Sequence, residues 1–279
     1  MNKKLIALAL ASGAALLSVP ASAAVVAGID FGSGGPAHLE TMTLAQQFIN
    51  PTTTVAGTGA GLGYGYITTI NGATNYCTFS TTCGLYYTVD FFGGTFTSAT
   101  NIQFTGTTVN IYLLPTFTNL LTQNSPTNYA MIQSGALYAS FNGHGNLGGG
   151  LPATTVSSSN GDLSGATLAY TGRGLLDVNL AASGVPIFEA YLDGNSVPDS
   201  AGGFADMAYT ESASNFVLNP VDITNGLTVG CLDGSAATGA WCLQGTLNTR
   251  GVAEIPEPGS LALLAIGLLG AGMVRRRRS

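Results

Sequence analysis

Apolar and polar residues alternate with a period of two along most of the chain, and turn residues interrupt the alternation at short intervals. The alternation predicts strands at 24–31, 66–70, 85–92, 101–104, 107–114, 136–141, 176–182, 188–192 and 241–248. It is clearest at 176–182, where Leu176, Val178 and Leu180 share one face and the residues between them are mostly polar. One apolar and one polar face per strand predicts a mainly β fold, an antiparallel β-sandwich of jelly-roll-like form.

The segments between these strands are less regular. Residues 39–49 carry apolar side chains at helical spacing, so one short helix is possible there. The Gly-rich segment 57–65 is interpreted as a link, and 142–165 as a long loop. The absence of helical crossovers between predicted strands disfavours a parallel α/β fold, and the absence of a fixed repeat disfavours a solenoid.

The first 23 residues have the features of a secretory signal peptide. Lys3 and Lys4 precede an apolar stretch at 5–17, and Ala21 and Ala23 form a small-x-small cleavage site. This pattern predicts export through the Sec machinery and a mature chain that begins at Ala24.

The last 25 residues contain three features in a fixed order. Pro256, Glu257 and Pro258 are followed by an uncharged run at 259–274 and then by Arg275, Arg276, Arg277 and Arg278. As a helix rising about 1.5 Å per residue, the uncharged run would span about 24 Å, so it can serve as a short transmembrane helix. The arginines would remain cytoplasmic and place the body on the far side of the membrane.

This arrangement resembles the PEP-CTERM sorting signal of Gram-negative bacteria. The resemblance implies recognition by an exosortase, a transiently anchored inner-membrane precursor, and a final place at the cell surface or in the extracellular matrix. It also implies association with exopolysaccharide and with biofilm or floc formation, and the layout resembles that of flocculation-associated PEP-CTERM proteins. The alternative is an ordinary single-pass tail anchor.

Three regions follow from the two ends. They are a signal peptide at 1–23, a secreted β-rich body at 24–254 and a sorting segment at 255–279, whose basic tail is 275–278. The body holds thirteen carboxylates against Arg173 and Arg250, a formal balance of −11. Such an acidic surface repels phosphate backbones, which argues against nucleic-acid binding and leaves neutral sugars and divalent cations as compatible partners.

Four cysteines fit an oxidising compartment. Among the three possible connectivities, the short spacings favour local pairing, Cys77 with Cys83 and Cys231 with Cys242. Neither spacing is typical of a zinc site. We therefore expect structural disulfides.

Two histidines and one glycine motif are the first candidates for chemistry. The segment 143–148 matches G-x-G-x-x-G, but Gly149, Gly150 and Pro152 exclude the helix that a dinucleotide site requires, so we interpret it as a Gly-rich loop. His144 lies in this loop, and the chain has no G-x-S-x-G nucleophile motif. We expect no histidine-based catalytic site.

Acidic residues are the second group of candidates. Glu189 and Asp193 flank one predicted strand, and Asp206 and Glu211 flank the next, a pairing that a glycosidase could use. We interpret these four as solvent-exposed surface residues.

The loop after the first of these strands offers hard oxygen ligands. Asp193, Asn195 and Asp199 form a weak calcium candidate, but the loop departs from the EF-hand pattern and a β-turn is favoured. We expect no metal, no cofactor and no catalytic residue. The sequence thus predicts a structural, non-enzymatic matrix protein; the alternatives are a secreted polysaccharide-active enzyme and a carbohydrate- or calcium-binding lectin-like module.

Overall fold

The computed structural model describes residues 24–32, 36–48, 58–80, 82–163, 166–235 and 239–252, with the backbone alone at 36–48, 58–60 and 252. Its strands are β1 Val25–Val26, β2 Ile29–Asp30, β3 Pro36–Phe48, β4 Thr58–Ile70, β5 Gly84–Ser98, β6 Asn101–Leu114, β7 Ala136–His144, β8 Ser157–Asp162, β9 Ala169–Val178, β10 Val197–Pro198, β11 Phe204–Ala205, β12 Met207–Ser214 and β13 Trp241–Val252. Its helices are α1 Ser125–Gln133, α2 Pro186–Leu192 and α3 Pro220–Thr224, with a 3-10 turn at Leu120–Thr122.

Within the described residues, nine strands form one antiparallel sheet in the order β12-β13-β3-β4-β5-β6-β7-β9-β8. The sheet closes on itself, because β9 pairs with β12 and β6 pairs with β8. The prediction of a mainly β, antiparallel fold is confirmed. The layers that face each other across the core, as in a sandwich, are opposite walls of this one continuous sheet.

The inward side chains of these strands fill the space between the walls. On β5 and β6 they include Leu85, Tyr87, Val89, Val109 and Ile111, all almost fully buried. The void that remains at the centre is about 10 Å³ and its lining is apolar. Because one water needs about 10–15 Å³, this void is too small for a ligand.

One end of the closed sheet is covered by the β1–β2 hairpin and helix α2; we call it the hairpin end. Phe31 follows the hairpin and packs against Phe188 and Tyr191 of α2, with ring centroids 5.6 and 4.6 Å away. Val252 pairs with Pro36 at the same end. The described chain therefore begins and ends at the hairpin end.

The opposite end, here called the far end, includes the long connection between β12 and β13. The β12–β13 connection contains α3 and is tied to β13 by the disulfide between Cys231 and Cys242.

Helix α1, in the connection between β6 and β7, packs on the outside of the sheet over Tyr64 and Tyr86, where Trp241 meets Tyr64 edge-on at 5.5 Å. A second apolar cluster thus lies outside the main core.

Two predictions about the first third of the chain are wrong. Residues 39–48 belong to β3, because pairing with both β4 and β13 overrides the helical spacing. The segment 58–65, predicted as a Gly-rich link, is part of β4. There, inward-facing Gly63 and Gly65 lie opposite Val89 and Tyr87 of β5 and leave room for those side chains.

Four further predictions also differ from the structure. Residues 188–192 belong to helix α2, whose first residue is Pro186, a favoured position for proline. The strand predicted at 176–182 ends at Val178, and the predicted loop 142–165 contains β8. The segments 101–104 and 107–114 form one continuous strand, β6.

The signal peptide at 1–23 and the sorting segment at 255–279, with its apolar run and arginines, lie outside the described residues. Among the residues that the structure describes, no helix combines the length and the apolar character that crossing a membrane requires. The three-region division of the chain stays a prediction.

Candidate functional site

A polar cluster near the surface is centred on His144, the last residue of β7. Its Nδ1 atom lies 2.7 Å from Oδ2 of Asp177 on β9, and its Nε2 atom lies 3.1 Å from Oδ2 of Asp199. Asn146 adds a hydrogen bond from Nδ2 to the same Asp199 oxygen, at 3.3 Å. One imidazole therefore bridges two carboxylates from different segments.

The local backbone explains how Asp199 reaches the histidine. Asp199 Oδ1 accepts hydrogen bonds from the backbone N–H groups of Ala201 and Gly203, at 2.8 and 2.7 Å, which closes a tight turn. Ser200 donates through both its N–H and its hydroxyl to the carbonyl of Asn146. The segment 145–150 follows His144 as a loop, as the glycine content predicts.

The cluster shifts the acidity of both partners. Partial burial alone would lower the pKa of His144, but the hydrogen bonds and the charges of Asp177 and Asp199 raise it above its ordinary value. The hydrogen bond from His144, helped by the N–H groups of Gly203 and Ala201, lowers the pKa of Asp199 to about 2. The arrangement favours an imidazolium held between two carboxylates.

The geometry fits a structural role better than a catalytic triad. We call the three residues His144, Asp177 and Asp199 the His144 clamp, because the histidine links the two carboxylates. A triad needs one ring nitrogen directed at a nucleophile, whereas in this cluster each ring nitrogen faces a carboxylate. Ser200 is the nearest hydroxyl in this turn, and it is committed to the Asn146 carbonyl. The other histidine, His38, lies in β3, where side chains are outside the described part of the structure.

The structure divides the calcium candidate between two places. Asn195 donates from Nδ2 to Asp193 Oδ1 at 3.2 Å, while Asp199 belongs to the His144 clamp. Within the described ranges, no group of three or more His, Cys, Asp or Glu residues is arranged to hold a metal ion.

Asp206 is buried and structural. Its two oxygens accept the backbone N–H groups of Val178 at 2.7 Å and Asn195 at 2.8 Å, which fixes the end of β9 to the loop after α2. Asp193 lies against it, and burial together with the charge of Asp206 raises the pKa of Asp193. The interpretation of Asp206 as solvent-exposed is wrong, because it supplies acceptors to two backbone donors.

The other two acidic candidates are also buried, contrary to the sequence-based interpretation. Glu189 lies on α2 rather than beside a strand. Burial raises the pKa of Glu189, although a hydrogen bond from the Ser140 backbone lowers it in part. Glu211 points into the sheet interior, where Gly172 on the neighbouring strand makes room for it. Three of the four carboxylates, Asp206, Glu189 and Glu211, are therefore buried within the fold.

A buried network that the sequence did not reveal joins α1, α3 and the sheet. Asp222 accepts the backbone N–H of Ser125 at 2.7 Å and a short hydrogen bond from its hydroxyl. Tyr64 on β4 is 2.9 Å from the same hydroxyl and accepts from Asn128 at 3.0 Å. The partners are 97 and 61 residues apart, so no local pattern could indicate them.

Two disulfides join Cys77 to Cys83 and Cys231 to Cys242, which is the local pairing that the spacings favoured. The first lies beside the hairpin, where the Thr78 N–H donates to Gly28 at 2.9 Å. The second is buried with Tyr170, Ala213 and Leu243 at the far end. Each disulfide therefore anchors a connection at one end of the sheet.

Residues 254–278 match the family described as the PEP-CTERM protein-sorting motif. No curated protein and no solved structure matches the chain. The resemblance of Pro256, Glu257, Pro258 and the residues after them to this sorting signal is confirmed: the chain ends in a PEP-CTERM sorting motif. It is an exported exosortase substrate, made as a membrane-anchored precursor.

Proposed function

We propose that this protein is a structural component of the cell surface or extracellular matrix, where it contributes to exopolysaccharide-associated biofilm or floc formation. The sorting motif at 254–278 carries the proposal, because it directs the protein to an exosortase and away from the cell interior. The body, in this proposal, acts by its presence and its surface rather than by turning over a substrate.

Three features of the body support a structural role. At the centre of the sheet, the described side chains leave a void of only about 10 Å³. Asp206 and Asp222 each accept hydrogen bonds that hold two segments together, so they serve the fold. Two disulfides cross-link the connections, which suits persistence outside the cell.

The position of the chain ends also fits surface display. The described chain leaves the body at Val252, at the hairpin end, two residues before the sorting motif begins. In the anchored precursor the hairpin end is therefore nearest to the membrane. The far end and the outer face of the sheet next to it point away from the membrane and are available to matrix components.

The test is a deletion of the gene in its native host, complemented by the full chain or by a chain that stops after Val252. We expect the deletion strain to form weaker flocs, the full chain to restore them, and the truncated chain to be exported without restoring them. Flocs of normal strength in the deletion strain would overturn the proposal.

The rival enzymatic function predicts a different result. Matrix isolated from the deletion strain would be incubated with purified protein and with the Glu189→Gln and Asp206→Asn variants, and released sugar would be measured. We expect no release above the buffer control from any of the three. Release by the wild type that both variants lose would favour a polysaccharide-active enzyme.

A further inference from the structure

An open groove of about 550 Å³ lies on the outer face of the sheet, across β8, β9, β12 and β13 and near the far end. Its size falls within the range of about 300–1,000 Å³ that is typical of small-ligand sites. The polar side chains that line it are Asn160, Thr171, Ser212, Ser214, Gln244 and Thr246. All six are uncharged, in a body with a formal charge of −11.

The register of the strands aligns four of these side chains in one row. Asn160 is paired with Thr171, Thr171 with Ser212, and Ser212 with Thr246. With neighbouring strands about 4.8 Å apart, the row extends about 14 Å across the sheet. All four residues are exposed. Asn160 Oδ1 accepts a hydrogen bond from Asn101 at 2.6 Å, so the row presents mainly the hydroxyl groups of Thr171, Ser212 and Thr246 to solvent.

Hydrogen-bonding capacity in this groove is only partly used inside the protein. Ser212 and Thr246 are 3.5 Å apart, at the limit of a hydrogen bond. Gln244 Oε1 is buried, and among the described residues it has no hydrogen-bond partner. This oxygen would gain a hydrogen bond if the Gln244 side chain turned its amide toward a ligand hydroxyl in the groove.

The chemistry of the row selects among ligand classes. Hydroxyl and amide groups both donate and accept, which matches the hydroxyls of a sugar, whereas no charged side chain in the lining could pair with a phosphate, a sulfate or a uronate. The charged residues Asp162, Arg173 and Glu211 on these strands lie outside the lining. An extended neutral chain can also follow an open groove that has no closing wall.

We propose that this groove binds a neutral polysaccharide, with Thr171, Ser212 and Thr246 as hydrogen-bonding residues and Gln244 as an additional acceptor. The proposal rests on the proposed matrix function and names the surface through which the body would hold the polymer. Because the groove lies toward the far end, it is accessible while the protein is still anchored at the hairpin end.

The test is native affinity electrophoresis of the processed protein, recovered from its host, through gels that contain dextran, laminarin or alginate. The variants are the Thr171→Val/Ser212→Ala double substitution, Ser212→Arg as a steric block, and Thr95→Val as a control. Thr95 is exposed on β5 and outside the lining. All substituted residues lie on the surface, so thermal melting should show unchanged folding.

We expect dextran or laminarin to retard the wild type and Thr95→Val equally. The double substitution should raise the dissociation constant roughly tenfold, since each lost hydrogen bond costs a few-fold in affinity. Ser212→Arg should abolish retardation. Equal retardation of all variants, no retardation of the wild type by either neutral glucan, or retardation by alginate alone would each overturn the groove as the site.

The deletion strain separates this proposal from the matrix role. A flocculation defect together with equal mobility of all variants overturns the groove and leaves the matrix role standing. Normal flocs in the deletion strain overturn the matrix role whatever the electrophoresis shows.

Discussion

His144 connects three segments of the body through one side chain. Its ring joins the end of β7 to Asp177 on β9 and to the turn at Asp199, which in turn accepts two backbone N–H groups. The side chain of Asp177 is 44 % exposed, whereas that of Asp199 is 4 % exposed. Because solvent screens the first contact more than the second, the contact with Asp199 should matter more to stability.

The raised pKa of His144 makes a pH-dependent contribution to stability. A group whose pKa is higher in the folded state than in the unfolded state stabilises the fold when it is protonated. The contribution is therefore fully present below the unfolded value of about 6.5 and is lost as the pH rises through the folded pKa. We expect the difference in free energy of unfolding between the wild type and His144→Gln to shrink from pH 6 toward alkaline pH.

Urea unfolding at several pH values measures this difference. Asp199→Asn should reduce the pH dependence of the free energy of unfolding more than Asp177→Asn, because Asp199 is the less exposed of the two carboxylates. Asp162→Asn, an exposed substitution on β8, serves as the control. It should leave the pH dependence of the free energy of unfolding unchanged. A difference between the wild type and His144→Gln that stays constant across the range would contradict the assignment.

The limits of sequence reasoning at the residue scale are visible around Asp199. Proximity in sequence grouped it with Asp193 and Asn195 as calcium ligands, and those two residues do contact each other. Asp199 instead faces His144, 55 residues earlier in the chain, because the turn at 199–203 directs its carboxylate back toward β7. Such a contact depends on the closure of the sheet, which no local pattern reports.

At the scale of elements, the two disulfides differ in their surroundings. Cys77 and Cys83 are half-buried beside the hairpin, while Cys231 and Cys242 are buried in an apolar cluster. Closing either short loop should stabilise the fold by about 2–3 kcal/mol. We expect Cys77→Ala/Cys83→Ala to cost about 2 kcal/mol and Cys231→Ala/Cys242→Ala about 4 kcal/mol, because the second pair also leaves a cavity.

Urea unfolding of the two double variants, without reductant, measures these costs. Dithiothreitol should destabilise each double variant less than the wild type, since one cross-link is already absent. A larger cost for the Cys77–Cys83 pair than for the Cys231–Cys242 pair would contradict the importance given to burial.

The strands that the sequence predicts best are those with one continuous apolar face. Along β5, Leu85, Tyr87 and Val89 point inward with the period of two that their sequence shows. The sequence of helix α2 predicts a strand because the helix is short. Over seven residues, Phe188 and Leu192 satisfy a period of two as well as the spacing of four residues that a helix buries.

The glycines of β4 show a different reason for failure. Gly63 and Gly65 indicate a loop by composition, yet they occupy inward positions opposite large side chains of β5. A glycine in a strand is stabilised by what packs over it, so its assignment depends on the partner strand. The closure between β9 and β12 is equally non-local, because it joins strands whose sequences show only ordinary alternation.

At the scale of the whole molecule, both ends of the described chain meet at the hairpin end. Ala24 hydrogen-bonds with Gly32 and Phe31 there, and Val252 pairs with Pro36. The described chain therefore enters and leaves the body on one side.

This arrangement predicts that processing of the tail is independent of the folded body and depends on the sorting motif itself. We expect protein from the matrix fraction to have lost residues 1–23 and the tail near Pro258, with both disulfides formed. Replacing Pro256, Glu257 and Pro258 by alanine should leave the tail in place and hold the protein in the inner membrane.

Intact mass spectrometry of membrane and matrix fractions measures both outcomes. Asp233→Asn is the control, because it removes one exposed carboxylate from the body as Glu257→Ala does from the tail. It leaves the sorting motif intact, so it should be processed like the wild type. Equal masses and equal distribution for the wild type and the triple alanine variant would show that the triplet does not direct processing.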